Sequence, residues 1–348
     1  MTSVHQVRIR DNMNGSIDYS PFVALRFAQF SLLLEASETL HLPEYKGSTL
    51  RGGFGNAFKK AVCMTKTFDC PPCLLQKACP YFSIFESKVE KSIADLLRIG
   101  KDAPHPFVLE PPLTEQREFQ KGEQLTANLV LIGKTIDMLP YFIYAFTVLG
   151  ERVGLGKAKG KFVVRQVSDA EGKKVYDGQT QMLKDSYRIF TFADFENAAG
   201  SPSGNPSLRE RISLNFITPT RIMTSYGSGS RHLIRLREAK DFGTLAETLY
   251  HRVFALTSLY CGNGVLDYKE HKLLLNATRL SLTAANIRWQ DWERYSNRQQ
   301  TRMKLGGFVG EATFEGELGE FMPLLRIGTH LHVGKNTSFG LGKFEVNV

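Results

Sequence analysis

The feature that most constrains this chain is a short glycine-rich pattern that occurs twice. GLGKAKGKFVV (Gly154 to Val164) and FGLGKFEV (Phe339 to Val346) share glycines, lysines and a following strand, and each comes after an apolar helix. The second copy lies in the terminal stretch GKNTSFGLGKFEVNV, where Gly334, Gly340 and Gly342 bracket a polar run carrying Lys335, and Lys343 leads into the strand. Glycine lets backbone approach a ligand closely and take positive φ, and successive amides can form an anion-binding nest. For one copy alone the alternative is a hairpin that merely closes a sheet. Two copies imply a repeated domain.

Apolar periodicity supports the duplication. In the first half, alternation from Phe22 through Leu34 predicts a long strand with a bulge where its phase changes. Leu50, Phe54, Ala57, Phe58 and Ala61 then recur at helical spacing, with Ser48 as N-cap. Gly52, Gly53 and Gly55 inside that helix each cost about 1 kcal/mol relative to Ala, which implies that something lies close against the backbone. A strand follows at Leu125–Ile132, then a helix from Leu139 with Pro140 in its first turn. Residues 83–122 read as irregular, with His105 packed between prolines.

In the second half a strand begins at Ile212, and Thr244 and Glu247 form a capping box for a helix. Strands are predicted at Asn286–Trp292 and Gly307–Glu317, and a last helix near Phe321–Leu331. Both halves read strand, helix, strands, helix, glycine loop, strand. The class is therefore α+β, with two tandem ferredoxin-like (RRM-like) domains. Their bounds are 1–192 and 208–348, joined by a small, polar linker at 193–207.

Four cysteines interrupt the first domain. Cys63, Cys70, Cys73 and Cys79 are spaced C-x6-C-x2-C-x5-C within seventeen residues. A C-x2-C knuckle supplies two soft ligands from one turn. The expected occupant is a structural zinc, with an iron–sulfur cluster as the alternative because Pro80 follows the last cysteine. No uninterrupted apolar run is long enough for a bilayer and no leader precedes the first domain, so a cytoplasmic protein without a membrane partner is expected. The 348 residues carry a formal net charge of +9, which favours an anionic partner, nucleic acid first.

LPEYKGSTLRGGFG (Leu42 to Gly55), the cysteine cluster, PHPFVLEPP (Pro104 to Pro112), MKLGGFVG (Met303 to Gly310) and HVGKNTSFGLG (His332 to Gly342) together resemble the CRISPR precursor-RNA processing endoribonucleases of the RAMP superfamily, in a branch with a four-cysteine cluster. These pieces span nearly the whole chain. The resemblance implies binding of CRISPR repeat RNA and its cleavage without a catalytic metal, leaving a 5′-hydroxyl and a 2′,3′-cyclic phosphate. Other CRISPR effector subunits are further partners that it implies. A non-catalytic subunit that holds guide RNA is the alternative.

Attack by a ribose 2′-OH needs a base, an acid for the leaving oxygen and a cation for the phosphorane. Family members often carry a histidine in or just beyond the first helix, but no histidine lies between His41 and His105 here. His41, Tyr45 and Lys46, in the loop before the glycine-rich helix, are the catalytic candidates, with His232 a weaker one. The RNA-binding candidates are Arg51, Lys59, Lys157, Lys159, Arg231, His232, Arg294, Arg298, Arg302, Gly334, Lys335, Gly340, Gly342 and Lys343. His330 and His332 flank a helix end and are expected to orient the terminal loop.

Overall fold

The computed structural model describes residues 17–86, 88–100, 102–196, 210–225, 231–236, 238, 240–262, 264, 266, 268, 277, 279–291, 293–296 and 301–348. The chain divides into two compact units, one of Arg26–Phe190 with Tyr260–Gly262 and the other of the remaining chain.

In the first unit the strands, in chain order, are β1 (Arg26–Ala36), β2 (Leu40–His41), β3 (Phe107–Glu110), β4 (Glu118–Phe119), β5 (Gln124–Ile132), β6 (Phe162–Asp169), β7 (Lys174–Asp177) and β8 (Met182–Leu183), with β9 (Phe190–Thr191) pairing with β1. The helices are α1 (Gly47–Val62), α2 (Pro80–Phe85), α3 (Lys91–Leu96) and α4 (Leu139–Val148). β1 is central because its alternate residues Ala28, Phe30, Leu32 and Leu34 are buried on one face. The main sheet runs β3-β5-β1-β6-β7-β8, and β2 pairs with β4 apart from it. Phe54 of α1 stacks on Phe142 and Phe146 of α4, with centroids 5.3 and 4.7 Å away, and meets Phe107 of β3. Such pairs contribute about 0.5–1.5 kcal/mol each beyond the area they bury.

The second unit holds α5 (Ala193–Glu196), β10 (Glu210–Thr220), β11 (Met223–Ser225), β12 (Arg231–Leu233), α6 (Lys240–Leu256), β13 (Ser281–Gln290), β14 (Glu293–Ser296), β15 (Thr301–Lys304), β16 (Gly307–Gly316), α7 (Met322–Leu331) and β17 (Phe344–Asn347). Its main sheet runs β13-β16-β10-β17. In both units the strand–helix–strand–strand–helix–strand order lies across the sheet as second, third, first, fourth, and every neighbour is antiparallel. That is the ferredoxin-like plan, twice.

Several local expectations move. β1 keeps continuous register with β5 where its apolar phase changes. There Phe27 and Ala28 are both buried, Phe27 by stacking on Phe190 at 5.1 Å, and the register shift comes instead against β6, between Leu33 and Leu34. Helix α1 starts at Gly47 with Lys46 in the cap position and no side-chain capping bond, so Ser48 is not its cap. α6 begins four residues before Thr244, which lies inside the helix. The stretch expected to be irregular contains the end of α2 and all of α3, β3 and β4. Ala193–Glu196 of the expected linker form one helical turn that buries Phe195; 197–209 lie outside the described residues.

Of Gly52, Gly53 and Gly55 in α1, two have tight neighbours. A Cβ on Gly53 would meet Leu149 at 3.0 Å, and one on Gly55 would meet the Arg51 guanidinium at 2.8 Å. Nothing stands within 4 Å of the position at Gly52.

Candidate nucleic-acid interface

Each glycine loop rests on the end of the first strand of its unit or on the segment just after it. In the first, Gly154 (φ +82°) reverses the chain after α4, and Leu155 bridges back to Gly160. A side chain on Gly156 would collide with the His41 carbonyl, and one on Gly160 with that of Thr39. The Lys157 amide donates to the His41 carbonyl at 3.4 Å. Leu155 is buried beneath while Lys157 and Lys159 are exposed.

In the second unit, Gly334 (φ +87°) lies on the Arg221 carbonyl. The Lys335 amide donates to Arg221 O at 3.0 Å, the Gly342 amide to Pro219 O at 3.2 Å, and the Lys343 amide to the Thr218 hydroxyl at 2.9 Å. That hydroxyl donates in turn to Gly340 O at 2.8 Å. The Phe339 and Gly340 amides serve the carbonyls of Asn336 and Thr337. These five amides are engaged within the protein, so they do not make the open phosphate nest that the glycine spacing implied. What the loop presents outward is the exposed Lys335. His332, wholly buried at φ +61°, bonds through Nδ1 to Leu341 O at 3.0 Å and so orients the loop. His330 packs edge-on against Phe195.

The three catalytic candidates share a loop but not an environment. His41 stands opposite Glu118 in the β2–β4 register, with Nδ1 3.7 Å from the carboxylate and about half of its side chain exposed. Lys46 is only 2 % exposed. Its ammonium donates to Thr114 O at 2.7 Å and Glu44 O at 3.3 Å, which ties the start of α1 to the 112–116 segment. Burial lowers its pKa, nearby Arg117 lowers it further, and Glu44 offsets part of both. Tyr45 is half-buried, and desolvation, with the Glu110 charge adding to it, raises its hydroxyl well above the ordinary phenol value.

Arg51 turns inward, its guanidinium 4.5 Å over the Phe85 ring and 5.3 Å from that of Phe107. Lys59 lies 5.1 Å over Tyr81. The backbone of Arg231 and His232 pairs in β12 with Ser225 and Thr224 of β11. Arg294 and Arg302 sit in β14 and β15, which form a hairpin; Arg298 lies outside the described residues. His105 packs between Phe85 and Phe107 and bonds to Ile84 O, as its flanking prolines implied.

Cys63, Cys70, Cys73 and Cys79 line one cavity of about 150 Å³, and none forms a disulfide. Burial pushes the Cys63 thiol up, but bonds from the Thr65 hydroxyl and the Phe68, Lys66 and Thr65 amides outweigh it and bring the pKa below the ordinary value. Among the described residues, no three His, Cys, Asp or Glu side chains stand close enough to hold a metal as they are placed.

Sequence reasoning missed Glu118, Arg117 and Arg221. β2 and β4 are two residues each and pair across more than seventy positions, so no local pattern marks Glu118 as the partner of His41. Arg221 contributes a backbone carbonyl, and side-chain identity says nothing of that.

Two antiparallel ferredoxin-like sheets, each with a glycine loop seated at or just beyond the end of its first strand, are the shared plan of the two units. Residues 214–344 match the family model of the CRISPR-associated endoribonuclease Cas6, and residues 25–187 match a model described as an N-terminal domain. The fold of the whole chain is of the Cas6/RAMP type. An uncharacterized protein of Archaeoglobus fulgidus is 26 % identical over 319 residues, covering 88 % of this chain and 93 % of that one. A Thermus thermophilus Cas6 product complex superposes with a TM-score of 0.52 at 17 % identity, over 92 % of this chain and all of that one. A partial Cas6-RT-Cas1–Cas2 complex gives 0.52 at 11 %, over 93 % of this chain and 46 % of its own. Among the described residues no helix is long and apolar enough to cross a membrane.

Proposed function

We propose that this protein is an endoribonuclease that binds CRISPR repeat RNA and cuts the precursor transcript into guide RNAs. The observation that carries this reading is the Cas6 match over residues 214–344, which includes the terminal glycine loop. The reaction is attack of a ribose 2′-OH on the adjacent phosphate, leaving a 5′-hydroxyl and a 2′,3′-cyclic phosphate. His41 is the proton-transfer group. Glu118 faces its Nδ1, which leaves Nε2 for the RNA. Lys157 and Lys159, exposed on the loop that touches the His41 carbonyl, supply positive charge for the phosphorane oxygens. Tyr45 and Lys46 act from the interior: Lys46 fixes the backbone carrying His41, and Tyr45, protonated throughout the physiological range, serves only as a donor.

Incubating the full chain with repeat RNA in EDTA tests this. The expected products carry 2′,3′-cyclic phosphate and 5′-hydroxyl ends. Binding without cleavage under any condition rejects the enzyme. Cleavage that EDTA abolishes rejects the metal-free route.

A second reading, a non-catalytic RAMP subunit that holds guide RNA alongside other CRISPR proteins, is favoured by one observation: α1 contains no histidine. Binding without cleavage would establish it.

A further inference from the structure

The segment from Cys63 to Cys79 inverts the usual rule of burial. Met64, Phe68, Leu74 and Leu75 are 82, 44, 99 and 43 % exposed. The only residues of the segment that are not exposed are the four cysteines and Gln76. A seventeen-residue excursion with its apolar side chains outward has no core of its own, and small coreless segments are held by disulfides or metals. None of the four thiols is in a disulfide.

The backbone is already shaped around those sulfurs. Cys63 ends α1, and its Sγ lies 3.7 Å from the Thr65 hydroxyl, at the mouth of a turn in which Lys66 and Phe68 take positive φ. Cys70 and Cys73 bracket a tight turn closed by the Cys73 amide on Cys70 O at 3.2 Å. Gln76 fastens that turn, its side-chain amide donating to Cys70 O at 2.7 Å and Pro71 O at 2.6 Å. Cys79 occupies the cap position of α2. Two helix ends thus deliver one sulfur each and the tight turn between them a pair, all to one cavity.

We propose that Cys63, Cys70, Cys73 and Cys79 bind a single zinc ion through four thiolates, and that this ion staples the segment to α1 and α2. The sulfurs stand apart around the cavity, and sites of this kind close as the metal enters. Four thiolates leave no coordination position for a substrate, so the ion is structural. The inference does not depend on the reading of the protein as a nuclease.

The test uses the full chain, expressed without a polyhistidine tag. Elemental analysis should find one zinc per chain, and cobalt(II) added to metal-stripped protein should give the intense absorption of thiolate-bound cobalt, saturating at one equivalent. Cys70→Ser should lose both. Because that variant could unfold, limited proteolysis of the wild type is the second measurement: chelation should open cleavage between residues 63 and 79, and zinc should close it. Substoichiometric zinc with no saturable cobalt signal overturns the proposal. So does iron with acid-labile sulfide, or protection of the thiols from alkylation that only a reductant relieves.

Discussion

His41 and Lys46 sit five residues apart and differ in almost everything that matters for their roles. One is half-exposed beside a carboxylate, the other is buried with its charge on two carbonyls. His41→Ala should therefore slow single-turnover cleavage of repeat RNA at least about tenfold while leaving the dissociation constant nearly unchanged. An unchanged rate would move the chemistry away from this loop. Lys46→Met should act on stability instead, because Thr114 O and Glu44 O lose their donor. The expected loss is about 1–3 kcal/mol, read from denaturant unfolding. A fall in rate without a fall in stability would place Lys46 at the RNA. The residue types in this loop were legible in the sequence, since a histidine, a tyrosine and a lysine before a glycine-rich helix invite proton transfer. Their separation into outward and inward groups was not, because it is decided by the β2–β4 pairing and by the 112–116 segment, both distant in sequence.

At the scale of elements, glycine has opposite consequences in the helix and in the loop. Gly52 lies in the interior of α1 with nothing within 4 Å of the position its Cβ would take. Gly52→Ala should stabilise the protein by roughly 0.5–1 kcal/mol by restricting the unfolded chain. Gly342 has φ +76° and would drive a Cβ into the Val333 carbonyl. Gly342→Ala should destabilise by more than about 1 kcal/mol, since left-handed backbone alone costs that much. Thermal melting of both variants should show shifts of opposite sign; two shifts of the same sign would contradict the placement of one of them. The sequence marked both regions as crowded, and for Gly53, Gly55 and the two loops this holds. It could not tell that Gly52 is open or that the loop amides are already engaged, because both facts depend on what the sheet brings alongside. The order of the main helices and strands, in contrast, was readable, since most of the long elements carry a clear apolar period. The exceptions were short: β3 is four residues, all buried, and lies among prolines that hid it.

For the whole molecule, the repeated domain makes a quantitative demand on binding. Each loop presents lysine at an exposed tip, Lys157 and Lys159 in one unit and Lys335 in the other, on a chain of formal net charge +9. If RNA is held through its phosphates, affinity falls with salt, and each lost phosphate contact on a single strand reduces the slope of log K against log salt by roughly 0.7. Lys157→Ala with Lys159→Ala should then flatten the slope by about 1.4 and Lys335→Ala by about 0.7. The triple variant decides between one RNA-binding loop and two. If both units hold the same RNA, the losses add and the slope falls by about 2. If one unit alone binds, the triple variant falls no further than the single or double variant of that unit. Filter binding across a salt series, with the same repeat RNA for every variant, measures all three. A slope that none of the substitutions changes would remove both glycine loops from the RNA interface and leave the Arg294–Lys304 hairpin to carry it.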